Sequence, residues 1–447
     1  MSSEGRWPPL DPSPSGREPG AARPPGRSPG SPWEPRRAAR PRRPAPEPEP
    51  DPDGASRRLL VAAALVLVGL GAAVLLQQAF CGGGEQSGGA TGGGWAAERF
   101  GNSGRLASDG ENVCSTTPDQ VLFCLDAATG DERFTRQLYD SVVSSPVLAG
   151  GHVLVAGSGS QSTGRLHALA LDGTDRWSLP LDAPTDRRMA VVGDVVAVVS
   201  GDIATGELVG IDAAAGTELW RVYSAADGSQ PHVVSANAFT DGSRVYASIV
   251  TDDPGAASGI AGHVVAVDPR SGDEIWRSPS LPGITRSRGL AGMAALDGGA
   301  VAVLLEGTPD QEEGTPGQVV VLDAATGEER WQVEVESLHA AVSHVDGHTV
   351  VVDGAEMRAY DGEGGAAWAA PVPGHEAGGE AGPSTLVPVA GRLLHAGRDL
   401  HAVDPATGAG ELVDESGTTS DLTVAGDHVV VAGVFALTAL PVDEVAA

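Results

Sequence analysis

Residues 319–331 read VVVLDAATGEERW. An unbroken apolar run of this length reads as a strand buried on both faces. Asp323 ends it, because a carboxylate can accept backbone N–H bonds inside a turn. Gly327 supplies the positive φ that closes a hairpin. Trp331 then opens the next strand and packs against a neighbouring sheet.

The same pattern recurs along the chain: VLFCLDAATGDERF (121–134), LHALALDGTDRW (166–177), LVGIDAAAGTELW (208–220), VVAVDPRSGDEIW (264–276), MRAYDGEGGAAW (357–368) and LHAVDPATGAGEL (400–412). The aspartates are Asp126, Asp172, Asp212, Asp268, Asp323, Asp361 and Asp404, at steps of 46, 40, 56, 55, 38 and 43 residues. A strand pair precedes each motif, as in SSPVLAGGHVLVAG (144–157), AVVGDVVAVVSG (190–201) and VSHVDGHTVVVDG (342–354). Four short strands per unit at this period predict an all-β propeller. Seven motifs are visible. An eighth blade is expected from two fragments, 91–95 (TGGGW) and 421–442 (DLTVAGDHVVVAGVFALTALPV), with seven blades as the alternative. Pairing the N-terminal strand with the C-terminal strands would close the ring and remove its exposed edges.

The pattern A-x-D-x-x-T-G-x-x-x-W resembles the repeat of quinoprotein-type propellers, the pyrroloquinoline-quinone (PQQ)-like family, over residues 95–447. The resemblance implies blade-docking aromatics at Trp95, Phe134, Trp177, Trp220, Trp276, Trp331 and Trp368. Phe134 and Leu412 depart from it, so weaker blade contacts are expected there. The family includes PQQ- and calcium-dependent dehydrogenases, which carry adjacent cysteines at the cofactor. No two cysteines are adjacent here. The calcium ligands do not map onto the chain, so PQQ and calcium are disfavoured and a non-enzymatic branch is expected. Other propellers of this resemblance scaffold outer-membrane assembly or form sensor domains.

The chain has 447 residues and a formal net charge of −30, and all of its basic residues are arginines. So acidic a chain repels phosphate backbones, which disfavours nucleic acid as a partner. Residues 1–58 run against that trend, with 11 Arg, 8 acidic residues and 16 of the 33 prolines. Almost without aliphatic side chains, this tail is read as disordered and cytoplasmic. Residues 59–76 (LLVAAALVLVGLGAAVLL) carry no charge. Extended to Phe80 they would make a helix about 33 Å long, enough to span a bilayer. A transmembrane helix is therefore expected over 59–80. Arg57 and Arg58 place the N-terminus in the cytoplasm and the rest of the chain outside. Phe80 before Cys81 disfavours a lipoprotein signal. The eight glycines of 81–94 read as a flexible tether.

Cys114 and Cys124 flank a turn at Thr117–Gln120, which would set them opposite each other on adjacent strands. Such neighbours lie within disulfide reach, and the expected compartment is oxidising. The eleven histidines show no metal-ligand spacing, and the motif aspartates, one per blade, read as turn residues. No catalytic, cofactor or metal residue is assigned. The connections between blades should emerge on one face, carrying Arg136, Arg187, Arg188, Arg286 and Arg288. A basic face on an acidic ring points to an anionic envelope polymer or an envelope protein as partner. The resulting expectation is a single-pass membrane protein whose extracytoplasmic propeller is an interaction scaffold or ligand sensor; the alternative is a quinoprotein dehydrogenase.

Overall fold

A computed structural model describes residues 93–98, 105–138, 141–142, 144–158, 163–182, 188–201, 206–223, 231–234, 237–256, 259–285, 289–305, 317–336, 340–375, 385–415, 419–433 and 436–446. The expected cytoplasmic tail, the span at 59–80 and most of the tether lie outside these residues. No helix among the described residues is long and apolar enough to cross a membrane.

Eight antiparallel sheets form among the described residues, and the chain is an eight-bladed propeller. Blades 1 to 7 cover 107–137, 141–182, 190–222, 232–277, 290–335, 341–371 and 385–414. Blade 3 shows the plan, with strands Ala190–Val192, Val195–Ser200, Glu207–Asp212 and Thr217–Val222 in sheet order. First strands contact the first strands of neighbouring blades, so they line the axis. The second strand of blade 3 is buried at all six positions, whereas the outer strand is largely exposed.

Blade 8 joins the two ends of the chain. Thr419–Ala425, His428–Gly433 and Ala436–Pro441 supply three strands, and Trp95–Glu98 supplies the outer one. The closing register pairs Trp95 with Ala439, Ala96 with Thr438, Ala97 with Leu437 and Glu98 with Ala436. The ring therefore has eight blades rather than seven.

Eight apolar clusters of the described residues each lie between two adjacent sheets. The core is thus a set of seams, each built from the facing valines, leucines and alanines of the repeat's apolar runs. Removing such side chains from water, at about 25 cal/mol per Å² of apolar surface, is the main force holding each blade to the next.

Candidate functional site

The repeat first builds the seams. In six of them a tryptophan indole N–H donates to a carbonyl of the next blade. The bonds are Trp95 to Ala127 (2.8 Å), Trp177 to Ala213 (3.1 Å), Trp220 to Pro269 (2.8 Å), Trp276 to Ala324 (2.8 Å), Trp331 to Gly362 (3.3 Å) and Trp368 to Pro405 (2.7 Å). The acceptor in every case follows the motif aspartate. The ring lies over the motif glycine: at Gly272 (φ +75°) an added Cβ would stand 2.7 Å from the Trp220 ring. This glycine therefore has two duties, the positive φ expected from sequence and clearance for the neighbour's indole.

Phe134 is buried in the seam to blade 2 but has no N–H to donate. Arg136 supplies the missing bond. Its Nη1 donates to Gly173 O at 2.7 Å, again the carbonyl after the motif aspartate, and its Nη2 pairs with Asp175 at 2.6 Å. Arg136 lies within the outer strand Glu132–Gln137 and bridges two blades, rather than standing in a connection on a shared basic face. Leu412, at the aromatic position of blade 7, is 47% exposed and fills no seam. The C-terminal helix Val442–Ala446 covers that junction instead, burying Val445 with Val413, Leu422 and Leu440.

The motif aspartates are occupied in their turns. Asp126 Oδ1 accepts the N–H groups of Ala128 and Thr129 at 2.9 and 3.0 Å. Asp323 Oδ1 does the same with Ala325 and Thr326 at 2.9 and 3.0 Å. Its hydrogen bond from Arg330, then these two N–H groups, hold the Asp323 carboxyl down at about 2. Cys114 and Cys124 form a disulfide between directly opposed positions, with Cα atoms 4.1 Å apart. Both are fully buried in the cluster that contains Phe134.

Among the described residues no group of three or more His, Cys, Asp or Glu is placed to hold a metal ion. The cysteines cross-link two strands inside a seam, and the motif aspartates are committed to turns around the circumference. These residues do not fit a quinone-and-calcium centre. His395 and His401 stand opposite each other in blade 7, ring centroids 6.5 Å apart. Burial first, then His401 and His375, push His395 down to about 4.

The axial mouth is built differently. Every first strand begins at the end of the ring that receives the connection from the preceding blade. There Leu106 N donates to Asp421 Oδ2 at 2.8 Å, joining blade 1 to blade 8. Arg105 N donates to Ser145 Oγ at 3.2 Å, joining blade 1 to blade 2, and Arg188 N donates to Asn237 Oδ1 at 3.0 Å, joining blade 3 to blade 4. The Arg188 guanidinium carbon lies 5.8 Å from the centre of the Phe239 ring, a cation–π distance. Arg188 is within electrostatic reach of both Arg105 and Asp421. Among the described residues neither arginine forms an ion pair or a side-chain hydrogen bond. Burial, then repulsion from Arg105, lower Arg188 to about 10 against the pull of Asp421, so it stays cationic at neutral pH. Asp421 is 6% exposed. Burial raises its carboxyl, opposed by Arg105, the Leu106 and Leu422 N–H groups and Arg188.

Of the arginines expected on this face, the structure places Arg188 at the mouth and Arg136 in a seam. Arg187, Arg286 and Arg288 lie outside the described residues. Sequence reasoning missed Arg105, Asn237, Phe239 and Asp421. None belongs to the repeat motif, and only the ring geometry brings blades 8, 1, 3 and 4 to one axis.

Comparison with known proteins places the fold. Similar solved structures include quinohemoprotein alcohol dehydrogenase from Comamonas testosteroni, at 14% identity over 78% of this chain and 76% of that one, with a TM-score of 0.56. The computationally designed Ika8 protein is also similar, at 14% identity over 77% and 97%, with a TM-score of 0.54. BamB from Moraxella catarrhalis shares 19% identity over 66% and 80%, with a TM-score of 0.44. At these identities the first two likenesses are of fold alone. No curated protein matches the chain. The family model described as outer membrane protein assembly factor BamB matches residues 83–248 and 261–427. That match takes in all seven motif repeats, and the chain belongs to this family of PQQ-like repeat propellers.

Proposed function

We propose that the chain is a membrane-tethered, extracytoplasmic scaffold that binds an envelope protein through the connection-bearing end of its propeller, and that its role is not catalytic. The observation that carries this reading is the axial mouth. Two arginines without ion pairs converge there in a ring that is otherwise strongly acidic. A polar face beside a central channel, built from loops on a rigid ring, is where binding is expected. The charge-free run at 59–76 after Arg57 and Arg58 supports a membrane anchor. The family description, an assembly factor for outer membrane proteins, supports a protein partner.

Crosslinking in intact cells tests the reading. Covalent capture of a defined envelope protein, together with whole-cell protease cleavage beyond Cys81, is the expected result. Alcohol or sugar oxidation after reconstitution with PQQ and calcium, without any captured partner, would replace the scaffold by an enzyme.

A further inference from the structure

We infer that the axial mouth recognises a carboxylate presented by a partner polypeptide, gripped by Arg188 and Arg105. This rests on the scaffold reading and names the chemistry of its contact.

Four observations support it. First, the Arg188 guanidinium is backed by the Phe239 ring, with its Cζ 5.8 Å from the ring centre. A guanidinium set over an aromatic ring presents a planar fork, a geometry that can meet a carboxylate with two parallel N–H bonds. Second, backbone bonds pin both arginines where their strands begin: Arg188 N to Asn237 Oδ1 at 3.0 Å and Arg105 N to Ser145 Oγ at 3.2 Å. The backbone at the base of each side chain is therefore fixed, on blades 1 and 3 of a closed ring, which lowers the cost of ordering them on binding. Third, most described arginines outside the mouth have a carboxylate partner. Arg133, Arg136, Arg221, Arg244, Arg277, Arg330, Arg358 and Arg392 all form ion pairs. Two neighbouring arginines without one, in a chain of net charge −30, leave positive charge that an incoming anion can neutralise.

The fourth observation is the charge balance, which selects the anion. Asp421 lies beside the two arginines, with its Oδ2 engaged by Leu106 N at 2.8 Å. Among the described residues, two cations and one carboxylate leave about one positive charge, which a monoanionic carboxylate neutralises and a phosphate dianion would overfill beside Asp421. Two arginines at one end of the axis also suit a chain end or a single acidic side chain. A polyanion laid across the face would need a row of cations instead.

The test uses the full chain in detergent micelles and a fluorescent Gly-Ser peptide ending in a single free carboxylate, read by anisotropy. Wild type is expected to bind, with acetate displacing the peptide better than inorganic phosphate. Arg188→Gln should weaken binding at least tenfold and Arg105→Gln by a few-fold, with unchanged thermal melting. Arg188→Lys keeps the charge but loses the fork, and should recover only part of the loss. Asp421→Asn should shift preference toward phosphate. Absence of peptide binding to wild type, binding unaffected by Arg188→Gln, or stronger displacement by phosphate would each overturn the inference. Crosslinking in cells separates the two levels. If the Arg105→Gln/Arg188→Gln chain captures the same envelope protein as wild type, the carboxylate contact is wrong and the scaffold stands. If wild type captures nothing, the scaffold itself fails.

Discussion

Six seams of this ring are closed by a tryptophan, and two are not. The difference shows how a repeat tolerates loss of its most characteristic residue. In the standard seam one indole supplies both buried area and a hydrogen bond, as Trp276 does with Ala324. Between blades 1 and 2 those two jobs are divided. Phe134 supplies the area, Arg136 supplies the bond to the same carbonyl position, and the Cys114–Cys124 disulfide stiffens the cluster behind them. Between blades 7 and 8 the position is given up. Leu412 faces solvent, and the C-terminal helix closes the junction with Val445.

The largest expected effect comes from breaking a standard seam. Trp276→Ala removes a nearly buried indole tilted against Tyr246 and should cost about 3–5 kcal/mol, read as a fall in the denaturant midpoint. Next comes acid, at the seam between blades 6 and 7. His395 is held near 4 in the folded protein, below the value of about 6.5 for an unfolded histidine. A lowered pKa means that the unfolded chain takes up the proton first. Stability should therefore be full above pH ~6.5 and fall by roughly 2–4 kcal/mol as the pH drops toward 4. His395→Leu should flatten that slope. A separate decline is expected below pH ~4, as the turn carboxylates represented by Asp323 protonate toward 2.

Cys114→Ala/Cys124→Ala tests the stiffened seam. Opening a short loop of this kind should cost about 2–3 kcal/mol, and combined with Phe134→Leu the loss should exceed the sum of the two. Arg136→Ala should cost about 1 kcal/mol, the worth of a part-exposed hydrogen bond, with Phe134 still docked. The smallest effect is Leu412→Ala, expected within about 0.5 kcal/mol because the side chain is already in water. A large loss there would mean that Leu412 does dock, and the contrast between seams would collapse.

The same contrast explains what could be read from the sequence. The blades, the turn aspartates, the six tryptophans, the disulfide and the split eighth blade all follow from a period and from local turn chemistry. Arg136 was visible, but as a cation on an expected face. Its role depends on a carbonyl 37 residues away that only the folded seam brings within reach. The bulges between turn and aromatic, such as that at Val321/Leu322, left no residue signature. The mouth was hardest to read: Arg105, Arg188, Asn237 and Asp421 come from four blades and share no motif. Of these, the sequence marks only Arg188.

Closure of the ring is the claim on which the seams and the mouth both depend, and the pairing of Ala96 with Thr438 tests it most directly. Ala96→Cys/Thr438→Cys should form an intramolecular disulfide without added catalyst, so that chain cut by protease within 306–316 still migrates as one species until reduced. Free thiols at both positions, or bridges found only between separate molecules, would show that the two ends do not share a sheet.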